Sequence, residues 1–119
     1  MPARLRPADP AEARAALARF RSGEATRDDL RLLTKHYLAL LEATAPGRSV
    51  EVRVPPFAAI QCVEGVRHTR GTPPAVIETD AATWIALATG DLPWADALDS
   101  ARVDASGERT DLSPYFPLR

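Results

Sequence analysis

The spacing of the apolar residues changes near residue 47, and this change limits the fold more than any other feature of the sequence. Before that point apolar residues recur every three or four positions, which is typical of amphipathic helices. After it they alternate with polar residues or stand in short runs, which is typical of strands. We therefore expect one domain over residues 1–119, with a helical hairpin at 1–47 and a sheet with short helices at 48–119.

The first part of the chain has clear helix start and stop signals. Asp9 stands before Pro10, a pairing that favours the first turn of a helix, and Gly23 ends this helix. Thr26 begins a second helix with acidic residues in its first turn. Ala45-Pro46-Gly47 ends it. The two helices are expected to form a hairpin.

The second part predicts four short strands and two short helices. The strands are expected at 50–54, 57–63, 75–79 and 102–105. Asp80 begins one short helix and Pro93 begins the other. The strand at 57–63 has apolar residues on both faces, which indicates a strand buried on both sides.

Charge and hydropathy exclude several classes of partner. The 15 Lys and Arg residues and 16 Asp and Glu residues leave a formal net charge of −1. Nucleic-acid-binding domains usually present a basic surface, so this balance argues against nucleic acid as a partner. No apolar run is long enough for a transmembrane helix, and the first residues lack the apolar stretch of a secretory signal. The oligomeric state stays open.

Cysteine and histidine are too few for most site chemistries. Cys62 is the single cysteine, so no intrachain disulfide can form and a cytoplasmic location is expected. Its apolar neighbours favour a buried core residue over a nucleophile. His36, His68 and Cys62 lack metal-ligand spacing, so we predict no metal site and no cofactor. With no serine elbow or phosphate loop, a binding protein is favoured, although an enzyme stays possible.

A polar loop after the second strand contains Arg67, His68, Thr69 and Arg70. These side chains are of the kind that bind a carboxylate or phosphate through charge-assisted hydrogen bonds. The alternative is a solvated connection made rigid by Pro73-Pro74.

The stretch from Ala75 to Gly107 resembles the C-terminal half of the sterol carrier protein family. The matching positions are Asp80, Trp84, Leu87, Gly90, Ala97 and Gly107. The stretch 50–74, with Val-Pro-Pro-Phe-Ala-Ala-Ile-Gln-Cys-Val-Glu-Gly and then His-Thr-Arg-Gly-Thr-Pro-Pro, is similar to small stand-alone bacterial members. The likeness covers about residues 48–118. The chain departs from the family where Ser100-Ala101 replaces a glycine, and where a proline-broken tail replaces the C-terminal lid helix.

The resemblance implies an α/β (α+β) fold with a mostly antiparallel five-stranded sheet and helices on one face. It also implies an apolar tunnel between helices and sheet that takes acyl chains, sterols or similar lipids. The side chains that we predict to line it are Phe57, Ile60, Trp84, Leu87, Trp94, Leu98, Tyr115 and Phe116. The polar loop would hold a head group.

The sequence and the resemblance leave three functional hypotheses open. The first is non-enzymatic binding or carrying of a lipid or other apolar small molecule. The second is an enzyme-associated domain that binds an anion or a thiol cofactor through His68-Thr69-Arg70-Gly71. The third is an interaction module whose would-be tunnel is filled by side chains, since dense packing is usual in protein interiors.

Overall fold

The chain forms helices and strands in the order that the apolar spacing predicts. The computed structural model describes residues 4–65, 75–107 and 111–119. The elements are α1 (Pro10–Arg21), α2 (Arg27–Thr44), β1 (Val50–Val54), β2 (Ala58–Cys62), β3 (Ala75–Thr79), α3 (Ala81–Thr89), α4 (Trp94–Asp99), β4 (Val103–Ser106) and a 3₁₀ turn at Ser113–Tyr115.

Side-chain caps begin the helices at the predicted residues. The Asp9 carboxylate accepts hydrogen bonds from two backbone N–H groups of the first turn of α1. Thr26 and Asp29 form a reciprocal capping box on α2. Asp80 accepts from the Thr83 N–H at 2.8 Å and so begins α3. These bonds satisfy N–H groups that have no partner within a helix.

Ion pairs hold α1 against its neighbours. The Arg19 guanidinium forms two hydrogen bonds of 2.8 Å with the Asp29 carboxylate on α2. This pairing, together with the Thr26 N–H, holds the pKa of Asp29 well below its usual range. Arg21 pairs in the same two-pronged way with Asp91, which follows α3. The hairpin is therefore fixed both internally and to the segment after α3.

The four strands of the described residues form one sheet in the order β2-β1-β3-β4. β1 runs antiparallel to β2 and parallel to β3, and β3 runs antiparallel to β4. In this register Val52 lies beside Ile60 on one side and Ile77 on the other. Alternate residues therefore form one apolar face across the sheet.

That apolar face and the helices enclose the core. Leu33, Leu38 and Leu41 of α2 are fully buried in the same cluster as the valines of β1. The opposite face of the sheet is polar and includes Glu78 and the ion pair between Arg53 and Glu51. The helices therefore cover one face of the sheet, as predicted.

The expected five strands are wrong, because the described residues form four. After β4 the residues from 111 onward form the 3₁₀ turn and pack on helices instead of joining the sheet. Pro114 and Pro117 lie in this stretch, and proline cannot donate to a strand ladder.

Burial of the second strand on both sides is also wrong. Ile60 and Cys62 are buried, but Ala59 and Gln61 are exposed. β2 lies at the edge of the sheet, and its second face belongs to the polar side. Within the parts of the chain that the structure describes, no helix is both long and apolar enough to cross a bilayer.

Candidate functional site

Two tryptophans and one phenylalanine meet where the helices and the C-terminal residues join. The Phe116 ring lies edge-on to Trp84 of α3, with ring centroids 5.9 Å apart. It is tilted against Trp94 of α4 at 6.2 Å. Trp84 is 1% exposed and Trp94 is 8% exposed. We call Trp84, Trp94 and Phe116 the aromatic cluster, and it unites three of the predicted lining residues.

The residues 111–118, called here the C-terminal strap, position Phe116 on this cluster. Leu112 and Leu118 are buried anchors at its two ends. The Leu118 N–H donates to the Ala88 carbonyl oxygen at the end of α3, at 2.7 Å. The strap contains two prolines and a single 3₁₀ turn. It therefore occupies the place where the resemblance predicts a lid helix, but without helical hydrogen bonds along its length.

A buried hydroxyl lies behind Trp84. The Trp84 indole N–H donates to the Thr34 carbonyl oxygen of α2 at 3.3 Å. Thr34 is fully buried, and its hydroxyl oxygen has no hydrogen-bond partner among the described residues. A buried polar atom without a partner is costly and unusual in native proteins. Among the described residues, the Thr34 hydroxyl is the one buried side-chain polar atom that lacks a partner.

The other predicted lining residues have different surroundings. Ile60 and Leu87 are buried in the common core. Phe57 is half-buried, with the Arg27 guanidinium 5.3 Å from its ring centre. Tyr115 is half-buried in the strap, whereas Leu98 is 41% exposed. The structure therefore places Ile60 and Leu87 in the same hydrophobic core as the two tryptophans and leaves Leu98 on the surface.

The predicted polar loop lies outside the described residues. This applies to Arg67, His68, Thr69 and Arg70, and their proposed role stays a prediction. Cys62 is buried in β2, and burial raises the pKa of its thiol to about 12. A thiol with this pKa is almost wholly protonated near neutral pH, which does not suit a nucleophile.

A groove that sequence reasoning missed lies between α1, α2 and the end of the C-terminal strap. It has a volume of about 560 Å³ and is lined mainly by apolar side chains. Leu17 of α1, Tyr37 and Leu40 of α2, and Leu118 of the strap form most of its apolar wall. We call it the hairpin groove. The only sign of this groove in the sequence is that apolar side chains such as Tyr37 and Leu40 recur along α2. The same spacing occurs in any helix that packs on a core, so it does not predict a groove.

His36 stands at one end of the hairpin groove. Its Nδ1 accepts a hydrogen bond from the Ala8 N–H at 3.0 Å, which ties the N-terminal arm to α2. The imidazole lies edge-on to Tyr37, with ring centroids 4.9 Å apart. Burial lowers the pKa of His36 below its ordinary value. The neutral ring therefore carries its proton on Nε2 and remains a donor there.

One comparison with known proteins gives a match. The model of a family described as bacterial SCP ortholog matches residues 26–118, from the start of α2 to the end of the strap. None of the curated proteins matches the chain. The match includes every predicted lining residue and leaves out α1 and the N-terminal arm.

Proposed function

Since the chain belongs to the family of bacterial SCP orthologs, which are sterol-carrier-like domains, we propose that it binds a lipid or another apolar small molecule without catalysing a reaction on it. The ligand would enter between α3, α4 and the strap, displacing Phe116 from the two tryptophans. The observation that carries the proposal is the aromatic cluster, in which buried tryptophans are covered by a segment without regular secondary structure.

The packing supports an opening at this position. Between its buried anchors Leu112 and Leu118, the strap covers the tryptophans through the half-buried Phe116 ring, and one backbone hydrogen bond joins Leu118 to α3. Few backbone bonds and little regular structure are typical of segments that open locally. The fully buried leucines of α2 and valines of β1, by contrast, lie within regular elements. Movement of the strap between its two anchors would therefore expose apolar surface without breaking a helix or a strand.

The Thr34 hydroxyl supports a ligand with one polar group. It lies on the residue whose carbonyl oxygen holds the Trp84 indole, and it has no partner among the described residues. A ligand hydroxyl or carbonyl at this point would satisfy it, while the apolar remainder packs on the aromatic rings. Each buried methylene adds about 0.8 kcal/mol, so an alkyl or sterol body supplies most of the affinity.

Tryptophan fluorescence tests the proposal directly, because both tryptophans of the chain belong to the aromatic cluster. Oleate, oleyl alcohol and cholesterol are titrated separately into the protein. We expect a saturable change in emission with at least one of them. Phe116→Ala should alter the emission of the free protein and change the apparent affinity, because the strap then no longer covers the rings.

Two threonine variants form a matched pair for the polar contact. Thr34→Val removes a hydroxyl without a partner, so the free protein should gain about 1 kcal/mol in stability while ligand affinity falls. Thr83→Val removes a hydroxyl that donates to Asp80 at 2.9 Å, so stability should fall while affinity stays unchanged. Equal affinity of both variants and the wild type would remove Thr34 from the proposed site.

A filled interaction module is the second candidate, and the dense core on α2 and β1 favours it. In that case none of the three compounds gives a saturable change in tryptophan emission, and Phe116→Ala lowers stability alone. The anion-binding role of the loop around His68 stays a separate prediction.

A further inference from the structure

A second groove adjoins the hairpin groove and differs from it in charge. It has a volume of about 460 Å³ and shares Ala8 and His36 with the hairpin groove, so the two grooves meet at this hydrogen-bonded pair. Arg6, Arg31 and Lys35 line this second groove. We call it the basic groove. A mainly apolar groove therefore lies beside one that three cationic side chains line.

The charge of the two grooves departs from that of the whole chain. Their lining includes five cationic side chains, Arg6, Arg14, Arg31, Lys35 and Arg119, and one carboxylate. The carboxylate is Asp28, which lies 3.7 Å from Arg31 on an exposed surface. The chain as a whole has a formal net charge of −1. Arg14 and Arg119 line the hairpin groove itself, and the other three cations line the basic groove, so the two grooves together carry an excess of positive charge.

We propose that the hairpin groove and the basic groove together bind an anionic amphiphile, a long-chain carboxylate, separately from the site at the aromatic cluster. The alkyl chain would lie against Leu17, Leu40 and Leu118. The carboxylate would lie at the junction, near His36 and Lys35. This second site uses neither Trp84 nor Trp94, and it shares only Leu118 of the strap with the proposed function.

The shape and the chemistry both favour this occupant. The volume of the hairpin groove falls within the range of small-molecule pockets, about 300–1,000 Å³. Apolar walls with a few polar groups at one end are the usual arrangement for a ligand that is itself polar at one end. His36 accepts from Ala8 at Nδ1 and so keeps Nε2–H as a donor, and Lys35 adds a charge-assisted hydrogen bond. An uncharged or cationic chain would leave the basic end unused.

Calorimetry of dodecanoate binding, below its micelle concentration and at low salt, tests the charge requirement. Dodecanol is the uncharged counterpart. We expect dodecanoate to bind at least about tenfold more tightly than dodecanol, and to weaken as salt is added. Lys35→Glu should weaken dodecanoate at least about tenfold. Arg102→Glu makes the same change of charge at an exposed position outside both grooves and should leave the affinity within about twofold.

NMR chemical shifts show which residues the ligand contacts, and so they distinguish binding in the two grooves from binding at the aromatic cluster. Dodecanoate should shift the amide signals of Leu17, His36 and Leu40, and Lys35→Glu should remove these shifts. Shifts of the Trp84 and Trp94 indole signals alone would overturn this proposal and support the site at the aromatic cluster. If both sets of signals move, Lys35→Glu must remove only the groove shifts for the proposal to stand. Equal binding of dodecanoate and dodecanol, or no binding, would overturn it.

Discussion

Ala101 adopts a backbone conformation that normally requires glycine. Its φ is +57°, in the left-handed region, directly after the end of α4. The Ala101 N–H donates to the Leu98 carbonyl oxygen, and the Arg102 N–H donates to the Ala97 carbonyl oxygen. This pair of bonds defines a Schellman ending, in which glycine is the usual residue at the position of Ala101. The chain therefore has alanine where the family has glycine, but the backbone still adopts the left-handed conformation at this position.

Ala101→Gly should stabilise the protein. Relief of the left-handed strain is worth about 1–2 kcal/mol, and the greater freedom of glycine in the unfolded chain offsets about 0.4–1 kcal/mol of it. We expect a net gain of about 0.5–1 kcal/mol in urea unfolding. Ala18→Gly, at an exposed position within α1, is the matched control and should cost about 1 kcal/mol. Equal losses in both variants would contradict the assignment of strain to Ala101.

His36 makes stability depend on pH. Burial lowers its pKa in the folded state, so below about pH 6.5 the unfolded chain binds the proton more readily than the folded one. The contribution of His36 to the free energy of unfolding is therefore fully present above about pH 6.5 and decreases as the pH falls below that value. Protonation at Nδ1 would also break the bond from the Ala8 N–H.

The His36→Asn variant isolates this effect, because the asparagine oxygen can accept from the Ala8 N–H without titrating. Urea unfolding at pH 7.5 and pH 5.0 should show a larger loss for the wild type than for His36→Asn. Other titrating groups are common to both proteins and cancel in the difference. Identical losses would show that His36 has an ordinary pKa in the folded protein.

The start of α2 is stabilised by a reciprocal cap. Thr26 accepts from the Asp29 N–H at 3.1 Å, and the Asp29 carboxylate accepts in return from the Thr26 N–H and from Arg19. Thr26→Ala should cost about 1 kcal/mol in thermal or urea unfolding, while Thr26→Ser should remain close to the wild type. A Thr26→Ser variant as unstable as Thr26→Ala would assign the effect to the methyl group and not to the cap.

For the helices and strands, the sequence predicted where each element begins better than how the elements pack together. Caps at Asp9, Thr26 and Asp80 act locally, so each helix start could be predicted from a few neighbouring residues. The edge position of β2 depends on which strands pair with it, which the alternation within β2 does not contain. The apolar residues on its second face were therefore misinterpreted as evidence of double burial.

For the whole molecule, the candidate site was partly predictable. Trp84 and Trp94 stand ten residues apart on two adjacent short helices, which suggests a shared surface. The contact of Phe116 with these tryptophans could not be predicted, because it depends on the course of the strap. The prolines of the strap show that it is not a long helix, but they do not show which part of the molecule it packs on. The hairpin groove arises between α1, α2 and the strap, so no single segment predicts it.

The central claim is that the folded chain holds an apolar small molecule, and native mass spectrometry of freshly purified protein tests it most directly. We expect a bound species that denaturing extraction releases as an acyl, sterol or isoprenoid compound, with occupancy in Phe116→Ala at least equal to that in the wild type, because no ring then competes for the tryptophans. A protein that shows only its own mass, and that takes up neither fatty acid nor sterol on incubation, would contradict the claim and favour a filled interaction module.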